Sequence, residues 1–151
     1  MSPRRLRVAV VFGGRSAERD VSMMSARAVA SALDPRKYER VLIGVDPEGR
    51  WILGSAALGL GGGAGPEREG GSGPGPRGDP RLLEDAAESP AGSRIAITPD
   101  GVDSALVVRG TNARLRGVDV LFPLLHGPCG EDGSIQGLAR LANLPCVGAG
   151  I

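Results

Sequence analysis

Aromatic residues are scarce in this 151-residue chain: two Phe, one Tyr and one Trp, 3% in all. A core has to be assembled from Val, Leu, Ile and Ala instead. Lysine occurs once, at Lys37, and histidine once, at His126, so arginine carries nearly all the positive charge. The net charge of +1 offers no general attraction for nucleic acid or for an acidic membrane. Two separated cysteines, Cys129 and Cys146, make no disulfide framework and point to a reduced, cytoplasmic chain. The segment 1–7 is basic but runs straight into a short strand-like stretch, with neither a signal-peptide core nor a membrane-spanning run after it. Two nucleotide motifs are also missing. Gly14 leads into Arg15-Ser16-Ala17-Glu18 with no later glycine, which departs from G-x-G-x-x-G, and no G-x-x-x-x-G-K-[ST] loop occurs. Asp46 ends an apolar run where a ribose-binding acid would sit, but it precedes Pro47 and is equally a turn residue.

What is present fits one domain with a real core, since 41% of residues are hydrophobic and 23% charged. Leu6 to Phe12 (LRVAVVF) reads as a strand buried on both faces. A helix follows, with Val21, Met24, Ala28, Val29, Ala32 and Leu33 as its apolar face and Asp20 or Ser22 as its cap. Asp34-Pro35 stops it, and Tyr38 to Val45 is the second strand of a βαβ unit. Trp51-Ile52-Leu53 is a short apolar piece. Residues 54–93 then lose periodicity, with a glycine- and proline-rich stretch expected to be flexible and a helical turn or two at Arg81 to Ala87. Such a segment is functional or a tolerated insertion, and its lack of His, Cys and aromatics favours insertion. Arg94 to Thr98 and Ala105 to Val108 form a plausible hairpin around Pro99-Asp100-Gly101. Val118 to Leu125 is a buried strand whose regular part ends near Pro123. Ile135, Leu138, Leu141 and Ala142 mark a short amphipathic helix, and Pro145 to Gly148 begins a last strand. The expected class is α/β with an open parallel sheet. A sheet domain stopping at Ile151 looks cut short.

Two glycine-rich loops follow strand-like runs and lead into helices: Gly13 to Ser22 and His126 to Gly137. In a parallel sheet both lie at the carboxyl edge of the strands, where such sheets bind ligands. Gly13-Gly14 allows a sharp turn and a close approach. The helix start after it favours an anion, whereas Glu18 can accept hydrogen bonds from a ligand ammonium. The plain alternative for Glu18 is a solvated carboxylate in a first helical turn. His126 leaves its strand toward the same crevice; the plain alternative is an imidazole satisfied by a backbone carbonyl. One histidine and two adjacent acids, Glu131 and Asp132, supply no credible zinc set, so no metal is expected. Asp132 reads as a helix cap or loop clamp, Glu131 as having a similar structural task, and Gln136 as fixing the loop through backbone groups.

Taken together these residues resemble the amino-terminal domain of the D-alanine–D-alanine ligases, which are ATP-grasp enzymes. The resemblance rests on Gly13-Gly14 with Ser16-Ala17-Glu18-Arg19, then Val21-Ser22 and Ser25-Ala26. It continues in His126-Gly127, Gly130-Glu131-Asp132-Gly133, Gln136-Gly137, Pro145, Val147-Gly148 and Gly150, in order and over nearly the whole chain outside residues 54–93. Asp20, Arg140 and Cys146 depart from the family pattern without touching Glu18 or His126.

The resemblance implies a three-layer, Rossmann-like pre-ATP-grasp domain over residues 1–151 with a long glycine-rich insertion. It implies a reaction in which ATP phosphorylates the carboxylate of one D-alanine and the amine of a second attacks the acyl phosphate, for peptidoglycan precursors. By that resemblance Glu18 helps hold the first D-alanine's ammonium, and His126 lies near its reacting carboxylate. Gly13, Gly14, Ser16, Val21, Ser22 and Gly127 line the substrate site, while Gly130, Glu131, Asp132, Gly133 and Gln136 shape the loop beside it. It further suggests a homodimer through this domain, with the ATP and Mg2+ sites in two further domains absent from this chain. The chain alone is expected to make no dipeptide and to bind ATP poorly. A non-catalytic binding or interaction module, or a nonfunctional truncated fragment, is the rival reading; a continuation beyond Ile151 carrying a lysine-bearing glycine loop and paired acids favours the ligase. Whether the second substrate is D-alanine, D-lactate or D-serine is not written in these residues.

Overall fold

The computed structural model describes residues 4–54, 93–98, 105–109, 114–115 and 117–150. In chain order these form β1 (Leu6–Gly13), α1 (Arg19–Ala32), β2 (Tyr38–Val45), β3 (Trp51–Leu53), β4 (Arg94–Thr98), β5 (Ala105–Val108), β6 (Arg114–Leu115), β7 (Val120–Pro123) and α2 (Ser134–Leu141). One sheet holds all seven strands in the order β6-β5-β4-β3-β2-β1-β7. Its centre is parallel, with β1 flanked by β2 and β7. Beyond β2 every pairing is antiparallel, including the expected β4–β5 hairpin with Ile95 opposite Val108. The class is α/β with an open sheet, parallel where the two glycine loops arise and antiparallel toward one edge.

The central strand explains the layering. β1 is buried from Arg7 to Gly13, and alternate side chains serve opposite faces. Val8, Val10 and Phe12 pack with Ala26 and Ala30 of α1 and with Leu42. Ala9 and Val11 pack with Val41, Ile43, Leu121 and the α2 residues Ile135 and Ala139. Three layers result, with α1 and α2 on opposite faces of the sheet. At the amino edge of the strands, Arg7 and Glu39 sit side by side in the β1–β2 register and form an enclosed ion pair of 2.6 Å. The Arg7 amide also donates to Asp119 (2.7 Å), which fixes the chain just before β7.

Several sequence expectations need correction. Only Val29 and Leu33 of the apolar stripe assigned to α1 pack toward the sheet; Val21 is 53% and Met24 67% exposed, and Ala28 and Ala32 are also exposed. The buried positions are Ser22, Ala26 and Ala30, with Met23, Val29 and Leu33 partly buried beside them. Small residues let the helix lie close to β1, and Ser22 enters the core because both its hydrogen-bonding functions are met there. Neither Asp20 nor Ser22 caps α1; its N-cap residue is Glu18, without a side-chain capping bond. In α2, Leu141 is exposed, while Ala139 and, just past the helix, Ala142 join Ile135 in the core. The segment from Pro145 makes only an isolated parallel bridge, Leu121 to Cys146, rather than a strand.

Apart from its ends, Gly54 and Ser93, the expected insertion lies outside the described residues, as do the helical turns at 81–87 and the turn at 99–101. The Leu53 amide donates to the Ser93 carbonyl (2.9 Å), so the chain leaves and re-enters the sheet at neighbouring strands.

Candidate functional site

Both glycine loops emerge on the carboxyl side of parallel strands, the first from β1 and the second just after β7. At Gly13 the backbone has φ 93°, and a Cβ there would stand 2.4 Å from the Val45 carbonyl oxygen, so β1 and β2 can end side by side only with glycine at this position. The Gly14 amide donates to that same oxygen (2.8 Å). The turn then closes on Ser16, whose hydroxyl accepts from the Glu18 amide (3.0 Å). This leaves the Glu18 carboxylate exposed and engaged by no protein group among the described residues.

Ser22 joins this turn to the second loop. It is fully buried; its Oγ accepts from the Gly13 amide (2.8 Å) and donates to the Leu124 carbonyl (2.5 Å). The sequence reading put Ser22 against substrate, but an enclosed hydroxyl with both functions occupied ties the loops together instead. Val21, assigned to the same site, lies on the exposed side of α1.

The second loop is held from within. Gly130 and Glu131 donate their amides to the Gly127 carbonyl (3.0 and 3.1 Å). Asp132 accepts from the Cys129 amide through Oδ2 (2.9 Å) and from the Ser134 amide through Oδ1 (3.0 Å). Those hydrogen bonds, the Cys129 amide foremost, lower the Asp132 pKa to about 2. The helix begins at Gly133 with φ 87° and no side-chain cap, so Asp132 is a clamp across the loop and not the N-cap of α2. Gln136 does not fix the loop as expected: its Oε1 is enclosed on α2 without a hydrogen-bond partner among the described residues. Gly127 lies against the Ser16 side chain, where the loops touch.

Between the loops Glu18, His126 and Glu131 meet. One ligand-capable atom from each lies within 4.8 Å of the others. His126 Nδ1 stands 3.7 Å from Glu131 Oε1, and Nε2 is enclosed without a hydrogen-bond partner among the described residues. The sequence reading paired Glu131 with the structural task of Asp132 and looked for metal ligands only within one loop. The missing partner was Glu18, from the other loop. A half-open cavity of about 290 Å³ lies beside the loops, lined by Gly14, Trp51, Leu125, Pro128, Cys129 and Ile135 among others but by none of Glu18, His126 and Glu131. A larger groove of about 450 Å³, lined in part by Trp51, Arg94 and Arg109, contains neither glycine loop, and the converging titratable groups mark the loop region as the site.

The nearby cations are committed elsewhere. Arg15 donates to the Glu48 carbonyl (2.8 Å) and Arg19 to the Val45 carbonyl (3.0 Å). Asp46 is also occupied, accepting from the Glu48 and Arg50 amides and from Arg50 Nε. Burial pushes its pKa up, but the hydrogen bonds from Arg50 outweigh that and leave it lowered. It serves its own turn, which removes the dinucleotide reading of that position. Cys129 and Cys146 are both free, and burial raises the Cys146 thiol. Among the described residues no helix is long and apolar enough to cross a membrane.

The family described as D-ala D-ala ligase N-terminus matches residues 7–149. The chain is 42% identical over 153 aligned residues to a D-alanine–D-alanine ligase of Mycobacterium avium, covering 97% of this chain and 36% of that protein. It is 44% identical over 150 residues to a D-alanine–D-alanine ligase of Nocardia farcinica, again covering 97% of this chain and 36% of that protein. Among solved structures it superposes on the D-alanine–D-alanine ligase of Coxiella burnetii with a TM-score of 0.70 and 28% identity, covering 98% of this chain and 36% of that one. The VanG D-Ala:D-Ser ligase of Enterococcus faecalis gives a TM-score of 0.70 at 26% identity, with 97% and 36% covered. The chain thus spans little more than a third of the relatives it matches. It belongs to the family of D-alanine–D-alanine ligase amino-terminal domains.

Proposed function

We propose that this chain is the amino-terminal, amino-acid-binding part of an ATP-dependent ligase that joins two D-alanines through an acyl phosphate for peptidoglycan precursor synthesis in the cytoplasm. The observation that carries this reading is the meeting of Glu18 with His126 and Glu131 between two glycine loops, in a chain of this family. Glu18 receives the ammonium of the first D-alanine on a carboxylate that no protein group occupies among the described residues. His126 stands beside the reacting carboxylate. The start of α1 adds unpaired amides and a partial positive charge that favour an anion nearby. The contribution of these residues is orientation: an ammonium held at one end and a carboxylate aimed at the other.

ATP and Mg2+ belong to the proposed reaction, and the described residues do not fit the nucleotide's phosphates. The loops present carboxylates where a triphosphate needs cations, and Arg15 and Arg19 are bonded to backbone carbonyls. No phosphoryl-transfer step is therefore assigned to this chain, and the chain alone makes no dipeptide. The same reading includes a homodimer through this domain, for which Val21 and Met24 of α1 offer exposed apolar surface.

Calorimetric titration of the chain with D-alanine tests the reading. Losing the Glu18 charge removes a charge-assisted contact worth about 1.5–3 kcal/mol, so Glu18→Gln should weaken binding roughly 10- to 100-fold. Wild-type chain that takes up no D-alanine, or a Glu18→Gln chain that takes it up equally well, contradicts it.

A further inference from the structure

We propose that Glu18, His126 and Glu131 bind a borderline divalent cation, of which Zn2+ is the type, at the position where the proposed function puts the amino acid's ammonium. Three Lewis bases converge here from two loops, and among the described residues none is engaged by a hydrogen bond. Glu18 is the N-cap residue of α1 but makes no side-chain capping bond. His126 Nδ1 and Glu131 Oε1 are 3.7 Å apart, beyond hydrogen-bond reach, and His126 Nε2 has no partner. Arg15 and Arg19, the cations of the first loop, are bonded to the Glu48 and Val45 carbonyls. Two carboxylates and an imidazole thus face one another, with no arginine bonded to either carboxylate among the described residues.

The spacing is close to what a metal needs. Bonds of 2.0–2.1 Å in tetrahedral geometry put neighbouring ligand atoms about 3.4 Å apart. The 3.7 Å gap between His126 and Glu131 is already near that value, and no separation in the trio exceeds 4.8 Å. Glu18 and Glu131 are exposed and can close the remainder by side-chain rotation. The imidazole can turn toward the ion without breaking a hydrogen bond. One nitrogen and two carboxylate oxygens suit Zn2+ and its neighbours better than Mg2+ or Ca2+, which take oxygen ligands. Three protein ligands leave a coordination position open to water or to an incoming amino acid. A cation seated there neutralises Glu18, the group that the proposed function reserves for the ammonium, so metal and D-alanine compete. That competition rests on the proposed function; binding of the metal does not.

The test is calorimetry of the chain with ZnCl2, with Co2+ absorption as a second readout. One equivalent of Zn2+ should bind, at least tenfold more weakly in each of Glu18→Gln, His126→Asn and Glu131→Gln. Cys129→Ser should bind as wild type, and excess Mg2+ should not displace the ion. Co2+ should give the visible bands of a four- or five-coordinate nitrogen–oxygen site in the wild type and lose them in His126→Asn. Zn2+ binding unchanged in all three variants, or abolished only by Cys129→Ser, overturns the proposal. Competition is read with D-alanine against L-alanine, which chelate free Zn2+ equally. D-alanine should raise the apparent Zn2+ dissociation constant beyond what L-alanine does. If Zn2+ depends on the three residues but the two enantiomers act alike, the metal site stands and the amino-acid reading of this crevice fails. If D-alanine binds through Glu18 while Zn2+ does not bind, the metal site fails and the amino-acid reading stands.

Discussion

Replacing Ser22 with alanine removes one hydroxyl and disconnects the two loops. The Gly13 amide loses its acceptor at 2.8 Å and the Leu124 carbonyl loses its donor at 2.5 Å, at a residue with no solvent exposure. Each buried backbone group left unpaired costs about 1–3 kcal/mol. Against this, alanine improves helix propensity in α1 by about 0.5 kcal/mol. The net loss is about 1.5–5.5 kcal/mol, a large share of the stability of a domain this size. Urea unfolding followed by circular dichroism should show a lower midpoint at unchanged slope. Ser25→Ala, on the same helix without such bonds, gains propensity alone and should fall within about 0.5 kcal/mol of wild type. If Ser22→Ala also lies within that margin, the hydroxyl does not bridge the loops, and the account of how they are held together fails.

Three further outcomes are expected. Asp132 has a folded pKa of about 2 against an ordinary 3.8, so the stability it contributes is fully present above about pH 4 and is lost as pH falls toward 2; an acid titration should show this, and Asp132→Asn should remove that part of the pH dependence. A Cβ on Gly130 would stand 2.4 Å from the Leu125 carbonyl oxygen, so Gly130→Ala must displace the second loop, costing about 1–3 kcal/mol by urea unfolding and shifting the His126 ring resonances. Met24, 67% exposed on α1, should be replaceable by Asp without loss of fold; under the dimer reading the same change lowers the sedimentation coefficient at micromolar concentration.

Most strands were legible as apolar runs bounded by glycine or proline, although the run read from Val118 to Leu125 is a strand only over Val120–Pro123. Tyr38–Val45 is found as read, and β1 differs only by including Gly13. The phase of α1 was not legible, because a hydropathy pattern cannot foresee that Ser22 is core and Val21 and Met24 are surface. That exchange depends on two backbone groups contributed by β1 and by the segment after β7. The last strand reduced to one bridge because the pairing of Cys146 with Leu121 is not extended. The two site loops stood out through their glycines, and Glu18 and His126 through their charge types. The approach of Glu131 to both was hidden, since adjacency to Asp132 in sequence says nothing about which neighbour crosses from the other loop. Asp132 turns inward to clamp its own loop, while Glu131 faces His126.

The measurement that bears most directly on the convergence of the two loops is a heteronuclear NMR titration of the chain with D-alanine. Amides of Gly13–Glu18 and of His126–Gly133 should shift together along one saturation curve, with L-alanine producing smaller changes. Shifts confined to a single loop, or two loops saturating at different concentrations, would contradict a shared site.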